Sequence, residues 1–252
     1  MFKIISLILL CCVSSLSFSF SAVGHKAIAA VAWSKLTPLA KQNVERILGG
    51  GEKRFIKAST WADRIKSYDR FDYLKPLHYV NMPKNVFVYD KKRDCRKNKC
   101  IVEAIKAFSK TIKSRKKKQQ LLALRLLIHL IADIHQPLHA GLYSDRGGNR
   151  YKVRFNNKSL SLHQFWDTHL LRTIAKDWQG LASILQKSSM KVSLLGPEQW
   201  AQESHQLSMT HVYKAKKKAA ISQAYIEPSQ DLIKKQMYQA GWRLAAWLNK
   251  LW

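Results

Sequence analysis

The stretch Arg125–His139, RLLIHLIADIHQPLH, is the most apolar interior run of the chain, yet it carries His129, Asp133, His135 and His139. Helical spacing puts His129 and Asp133 one turn apart on one face, where imidazole and carboxylate converge. Pro137 removes a backbone donor and ends or kinks such a helix, so His139 need not follow that periodicity. Buried imidazoles and carboxylates are costly unless compensated, and a divalent cation compensates them well. The competing reading is a core histidine with an ordinary hydrogen-bond partner. A second His-x-x-x-Asp pair, His163 and Asp167 in LHQFWDTH, moves the balance towards zinc chemistry. His25 after Gly24, Asp63 in STWAD and His78 in PLHYV are further candidates. These His and Asp side chains are too few for three complete zinc sites unless one carboxylate bridges and some other group contributes.

The elements that must position these residues are overwhelmingly helical. Ala22–Lys35 and Pro38–Leu48 read as helices, the second opening with a Thr37 cap and a first-turn proline and stopped by Gly49-Gly50-Gly51. Lys57–Lys66 reads as a short helix, and Lys75–Val88 as mostly extended, with breaks at Pro76 and Pro83. Cys100–Lys113 is amphipathic at helical period. Tyr151–Phe155 and Leu160–Leu162, separated by Asn156-Asn157, make the one convincing hairpin. His163 begins another helix, Glu198–Tyr213 forms a further one, and Pro228–Leu251 the last. No repeat or linker interrupts this pattern, which predicts an all-α class: a single, mostly helical domain with one small β-hairpin.

Residues 1–19 read as a secretory signal, with Lys3, an apolar run from Ile4 to Val13 and a small polar stretch. That run is too short to span a membrane, and no later run is long and charge-free enough. The expectation is an exported domain of residues 20–252, periplasmic or secreted, without stable membrane insertion. Cys95 and Cys100 then read as a small-loop disulfide. The formal charge is +28, from 44 basic against 16 acidic residues, with lysine runs at 91–99, 113–118 and 214–218. Such runs are often simply solvated; their functional reading is attraction to phosphate polyanions.

Seven motifs now stand in order: GH at Gly24-His25, SxWAD at Ser59–Asp63, LHYV at Leu77–Val80, HLIADIHQPLH at His129–His139, GGN at Gly147–Asn149, LHxxWD at Leu162–Asp167 and GWRLAAWLN near the C-terminus. In this order the chain resembles the zinc-dependent single-strand-specific nucleases and 3′-nucleotidases, whose fold is shared with bacterial zinc phospholipase C. The resemblance covers nearly all of residues 20–252 and includes a disulfide like Cys95–Cys100. It implies three zinc ions per chain. One would take Asp63, His78, His129 and Asp133, and a second His139, His163 and Asp167. The third would take His25, a bridging Asp133, and the amino group and carbonyl of the mature N-terminal residue. Phe20 stands at that position, where the family has tryptophan; the change is tolerable because the ligands are backbone atoms.

The resemblance also implies roles at the reacting phosphate. Two close zinc ions lower the pKa of a water, and Asp63 would steer its proton. Lys66 matches a basic residue near the scissile phosphate. Tyr79 would stack on a base, with Gly148 and Asn149 lining the other side of the pocket. Asn81 replaces the family's acidic base-binding residue with an amide that both donates and accepts. His135, His169, His205 and His211 have no implied metal role and read as packing or surface histidines. The expected partners are single-stranded RNA and DNA and nucleotides, the expected products 5′-phosphorylated, and the expected state a monomer.

Two alternatives compete. A zinc phospholipase C would carry glutamate in place of Asp167, and its N-terminal residue would lie farther from the first histidine than Phe20 does from His25. A non-catalytic basic nucleic-acid-binding protein would hold structural zinc, which is usually cysteine-rich and closed, whereas this ligand set has no cysteine.

Overall fold

Ten of the last eleven residues of the helix Lys117–Asp133 are buried, and the rest of the chain is arranged around it. The computed structural model describes residues 20–252; the predicted signal segment lies outside the described residues. The central helix opens on lysines without a side-chain cap, which is unfavourable against its macrodipole. Its stability comes instead from Leu124, Leu126, Leu127, Ile128, Leu130 and Ile131, all essentially solvent-free. Burial of each such side chain contributes roughly 1.5–3 kcal/mol.

The helices Ala22–Lys35, Ile101–Thr111 and Gln223–Leu251 pack against it. The first and last of these also pack on each other, and very closely: a Cβ built on Gly241 would stand 2.5 Å from Val31 Cγ1. No larger residue fits Gly241 without displacing one helix. The predicted bounds of Ala22–Lys35 and Pro38–Leu48 match the structure, and the Thr37 hydroxyl accepts from the Ala40 amide as expected of a cap.

Three expectations need correction. The Lys57–Lys66 segment is two helices, Glu52–Ala58 and Trp61–Ile65, broken at Ser59-Thr60. Lys75–His78 is not extended but ends a 3-10 helix, Asp69–His78, which accommodates Pro76; extended backbone begins at Tyr79. As expected from Pro137, the central helix does not reach His139: it stops at Asp133, and Pro137–Ala140 form a separate 3-10 turn that carries His139. The last helix starts at Gln223, with Pro228 inside it. Proline there removes a ladder bond at a cost of about 3 kcal/mol. Contacts of Tyr225 offset it: its hydroxyl donates to Val212 O and accepts from Trp166 Nε1, and its ring stacks on His211. A helix at Trp178–Gln186 was not anticipated, although Asp177 caps it through the Gly180 amide.

The hairpin pairs Lys152–Phe155 with Lys158–Ser161, slightly offset from the predicted strands. Asn156 and Asn157 both hold positive φ, as a two-residue turn requires. Cys95 and Cys100 form the disulfide. Among the described residues no helix is long and apolar enough to cross a membrane.

Candidate metal centre

Six separate segments deliver the His and Asp candidates to one buried locus. The first helix brings His25, and the short helix after the Ser59-Thr60 break brings Asp63. The 3-10 helix ends on His78, the central helix supplies His129 and Asp133, and the Pro137 turn presents His139. His163 and Asp167 lie on one helical stretch whose middle widens to a π-turn at Phe165–His169. Such π-turns recur at functional sites because they redirect side chains without ending the helix.

Three groups have ligand atoms within 4.8 Å of one another: His25, Asp63 and His129; His78, His129 and Asp133; and His139, His163 and Asp167. His139, His163 and Asp167 group as expected, whereas Asp63 groups with His25 and His129 rather than with His78 and Asp133. The two oxygens of Asp133 face different neighbours. Oδ1 is 3.2 Å from His25 Nε2, while Oδ2 is 2.8 Å from His78 Nδ1 and 3.2 Å from His129 Nε2. The carboxylate thus lies between His25 on one side and the His78–His129 pair on the other.

Backbone carbonyls orient the imidazoles. His129 Nδ1 donates to Ser59 O at 2.7 Å, His139 Nδ1 to His78 O at 2.6 Å, and His163 Nδ1 to Gly147 O at 2.6 Å. With the proton fixed on Nδ1, each ring turns the Nε2 lone pair inward, the arrangement a metal-binding histidine needs. His78 differs, offering Nδ1 to the cluster. His129 Nε2, His139 Nε2 and Asp167 Oδ2 are buried with no hydrogen-bond partner among the described residues. His163 Nε2 and Asp167 Oδ2 stand 3.1 Å apart without the alignment of a hydrogen bond. Orphaned acceptors facing one another at this depth fit a cation, and the nitrogen-and-oxygen donor set suits zinc.

The electrostatics agree. Burial pushes the Asp133 carboxyl up, but the His129 and His139 charges hold it well below its usual range. Burial depresses His129 and His163, yet Asp133 and Asp63 raise the first and Asp167 the second above the ordinary value. Burial, with Lys66 facing it, lowers His78 to about 3. Asp133 is thus charged and His78 neutral near neutral pH, the states in which a carboxylate and an imidazole can hold a cation.

The remaining expected residues lie around this centre. Phe20 is fully buried with its ring edge-on to His25, and the adjacent Ser21 amide donates to Asp167 O. Lys66 Nζ is 2.6 Å from Asp63 Oδ1. Tyr79 is 42% exposed and so open to a ligand ring. Asn81 Oδ1 is buried without a partner among the described residues, beside the Gly147-Gly148 turn. Both glycines have positive φ, and a Cβ on Gly147 would collide with Leu138 O. Asn149 Nδ2 donates to Arg146 O in the same turn. His135 and His205 are buried hydrogen-bonded core residues, while His169 and His211 pack half-buried against Phe155 and Tyr225. Trp166 is buried behind Asp167, and Trp61 packs on Phe71 and Arg125.

Gln136 escaped the sequence reading. Fully buried, it donates Nε2–H to Asp167 Oδ1 at 2.6 Å and accepts the Leu138 amide on Oε1. One amide thereby shapes the turn that carries His139 and holds a carboxylate of the same group. Its signal was a polar residue beside Pro137 in an otherwise apolar run.

A helical domain that converges buried imidazoles and carboxylates in this way belongs to the class built for metal-assisted hydrolysis. A family model described as S1/P1 nuclease matches residues 20–252. Among curated proteins, the chain is 28% identical to Endonuclease 1 of Arabidopsis thaliana, over 98% of this chain and 92% of that one. It is 27% identical to Nuclease S1 of Aspergillus oryzae, over 94% and 93%. It is 26% identical to Nuclease P1 of Penicillium citrinum, over 92% and 97%. The chain belongs to the S1/P1 nuclease family and is a hydrolase.

Proposed function

We propose that this protein is an exported, zinc-dependent phosphodiesterase that cuts single-stranded RNA and DNA to 5′-phosphorylated nucleotides and also acts as a 3′-nucleotidase. The observation that carries the reading is the gathering of His139, His163 and Asp167 ligand atoms within 4.8 Å of one another, with His139 Nε2 and Asp167 Oδ2 buried and lacking a hydrogen-bond partner among the described residues. Three zinc ions would be held as the family resemblance implies: by Asp63, His78, His129 and Asp133; by His139, His163 and Asp167; and by His25, Asp133 and the backbone of Phe20. When bound, these ions supply an acidified water and neutralise charge on the phosphate.

The chain's own residues do the rest. Asp63, one of the less deeply buried carboxylates of the set, takes up the proton of the attacking water. Lys66, ion-paired to Asp63, shifts to a phosphate oxygen as the substrate arrives. Tyr79 offers a face for base stacking, and Asn81 meets the base edge against Gly148 and Asn149.

The test measures metal content and single-strand cleavage on protein exported through its own signal, before and after chelation and after zinc is restored. About three zinc per chain, loss of cleavage on chelation and recovery with zinc are expected. Full cleavage by the metal-free protein would overturn the reading. A matched form carrying one residue ahead of Phe20 tests the N-terminal ligand alone, and should lose zinc and activity together.

A further inference from the structure

A cleft of about 600 Å³ opens beside the metal centre, lined by Ala22, Lys26, Ile56, Thr60, Asp63 and Trp178, together with Lys53, Lys57 and Arg64. That volume is comparable with a small-ligand site and far larger than a lone ion needs. Helical spacing builds its walls. Ala22 and Lys26 lie one turn apart on the first helix, so that His25 turns into the cluster while its neighbour turns into the cleft. Lys53, Ile56 and Lys57 share one face of Glu52–Ala58. Asp63 lines the cleft and also belongs to the metal centre, so the cleft abuts that centre at this residue.

The charge there is one-sided. The ammonium groups of Lys26, Lys53 and Lys57 have no acidic partner among the described residues, and Asp63 is already engaged by Lys66. Arg64 is held in place by Thr60 Oγ1 and by Lys57 O. Ile56 is buried and Trp178 half-buried, so the cationic lining also has an apolar part. A cleft lined by an indole, an apolar side chain and unpaired cations suits a chain of phosphates carrying flat bases.

We propose that the cleft bounded by Lys26, Lys53, Lys57, Arg64 and Trp178 is a polynucleotide-binding subsite, carrying the phosphodiester chain of a single-stranded nucleic acid onward from the metal centre. The inference rests on the nuclease reading above and assigns residues beyond the scissile phosphate. It predicts a length dependence: polymers use the cleft and dinucleotides do not.

The experiment compares the wild type with Lys53→Gln/Lys57→Gln and with a charge-matched control, Lys187→Gln/Lys191→Gln, at two exposed lysines outside the lysine runs. Fluorescence anisotropy with a labelled oligothymidylate, in chelator so that nothing is cut, measures binding across a salt series. Cleavage of the same oligomer and of a dinucleotide is followed with zinc present. The cleft variant should bind the oligomer roughly 3–10-fold more weakly at low salt, with its salt slope reduced by about one unit. Its dinucleotide cleavage should equal wild type, and the control should match wild type throughout. Trp178→Leu should weaken oligomer binding and Trp178→Phe restore it.

Equal losses in the cleft variant and the control would reduce the effect to net charge and overturn the subsite. Unchanged oligomer binding, or equal losses on oligomer and dinucleotide, would overturn it too. A wild type that cuts neither substrate would instead refute the nuclease reading, which separates the two failures.

Discussion

Asp133 and His135 are two residues apart and both fully buried, yet they serve opposite ends. On the Asp133 side, imidazole nitrogens and carboxylate oxygens face each other with hydrogen-bonding capacity left over. On the His135 side nothing is left over. His135 Nδ1 donates to Ile131 O, and its Nε2 accepts from Arg243, 3.0 Å away. Arg243 in turn grips Glu203 through two nitrogens and donates Nε–H to Ser193 O. Both regions are polar and buried; one is closed by its own hydrogen bonds, and the other has the groups that could hold a cation. Burial of a histidine therefore says little by itself, and the account of its second nitrogen says nearly everything.

The sharpest way to break this comparison is to remove the shared carboxylate. Asp133→Asn should lower zinc content and cleavage together, by more than the roughly 10–100-fold typical of losing an outer partner. Metal analysis of the purified variant beside its cleavage rate checks this; full zinc would sink the bridging role. Gln136→Leu should itself fall in that 10–100-fold range, because it frees Asp167 without removing a ligand. A zinc titration against a competing chelator measures the loss, and an unchanged affinity would make Gln136 merely structural.

The smallest effect belongs to the closed side and concerns stability rather than zinc. Burial, with Arg243 facing it, lowers His135 to about 3 from an ordinary 6.5. Below pH 6.5 the unfolded chain takes up this proton and the folded chain does not. The stabilisation is thus fully present above that pH and drains away as the pH falls towards about 3. The slope is at most about 1.4 kcal/mol per pH unit. His135→Gln keeps an acceptor for Arg243 and should flatten that acid limb in denaturant melts of zinc-loaded protein, with zinc content unchanged. An identical acid limb would mean that other buried groups set it.

Much of the scaffold was legible because local chemistry and tertiary packing agree. Thr37-Pro38 and the glycines after Leu48 mark one helix to the residue. The paired His-x-x-x-Asp spacings were legible for the same reason: their geometry is set by one helical turn. What lay beyond the sequence were relations between segments. The carbonyls of Ser59, His78 and Gly147 that aim three imidazoles carry no side-chain signature, and two of them sit in irregular backbone. Pro228 misled because the contacts of Tyr225 that hold the preceding turn come from two distant segments, one at Trp166 and one at His211-Val212. The cleft at Lys53 and Trp178 needed both an unanticipated helix and a break at Ser59-Thr60 that periodicity had smoothed over.

The division of Asp133 between His25 on one oxygen and His78 with His129 on the other has a consequence for how the site tolerates drift. Eight side chains from six segments look redundant, as though any one could change and leave the others working. They are not equal. A substitution at His25 unsettles one neighbourhood, whereas one at Asp133 unsettles two at once, since each leans on the same carboxylate. Mutational robustness in this protein is therefore uneven: most positions are spokes, and Asp133 and His129, which falls in two of the three groups, are the hubs.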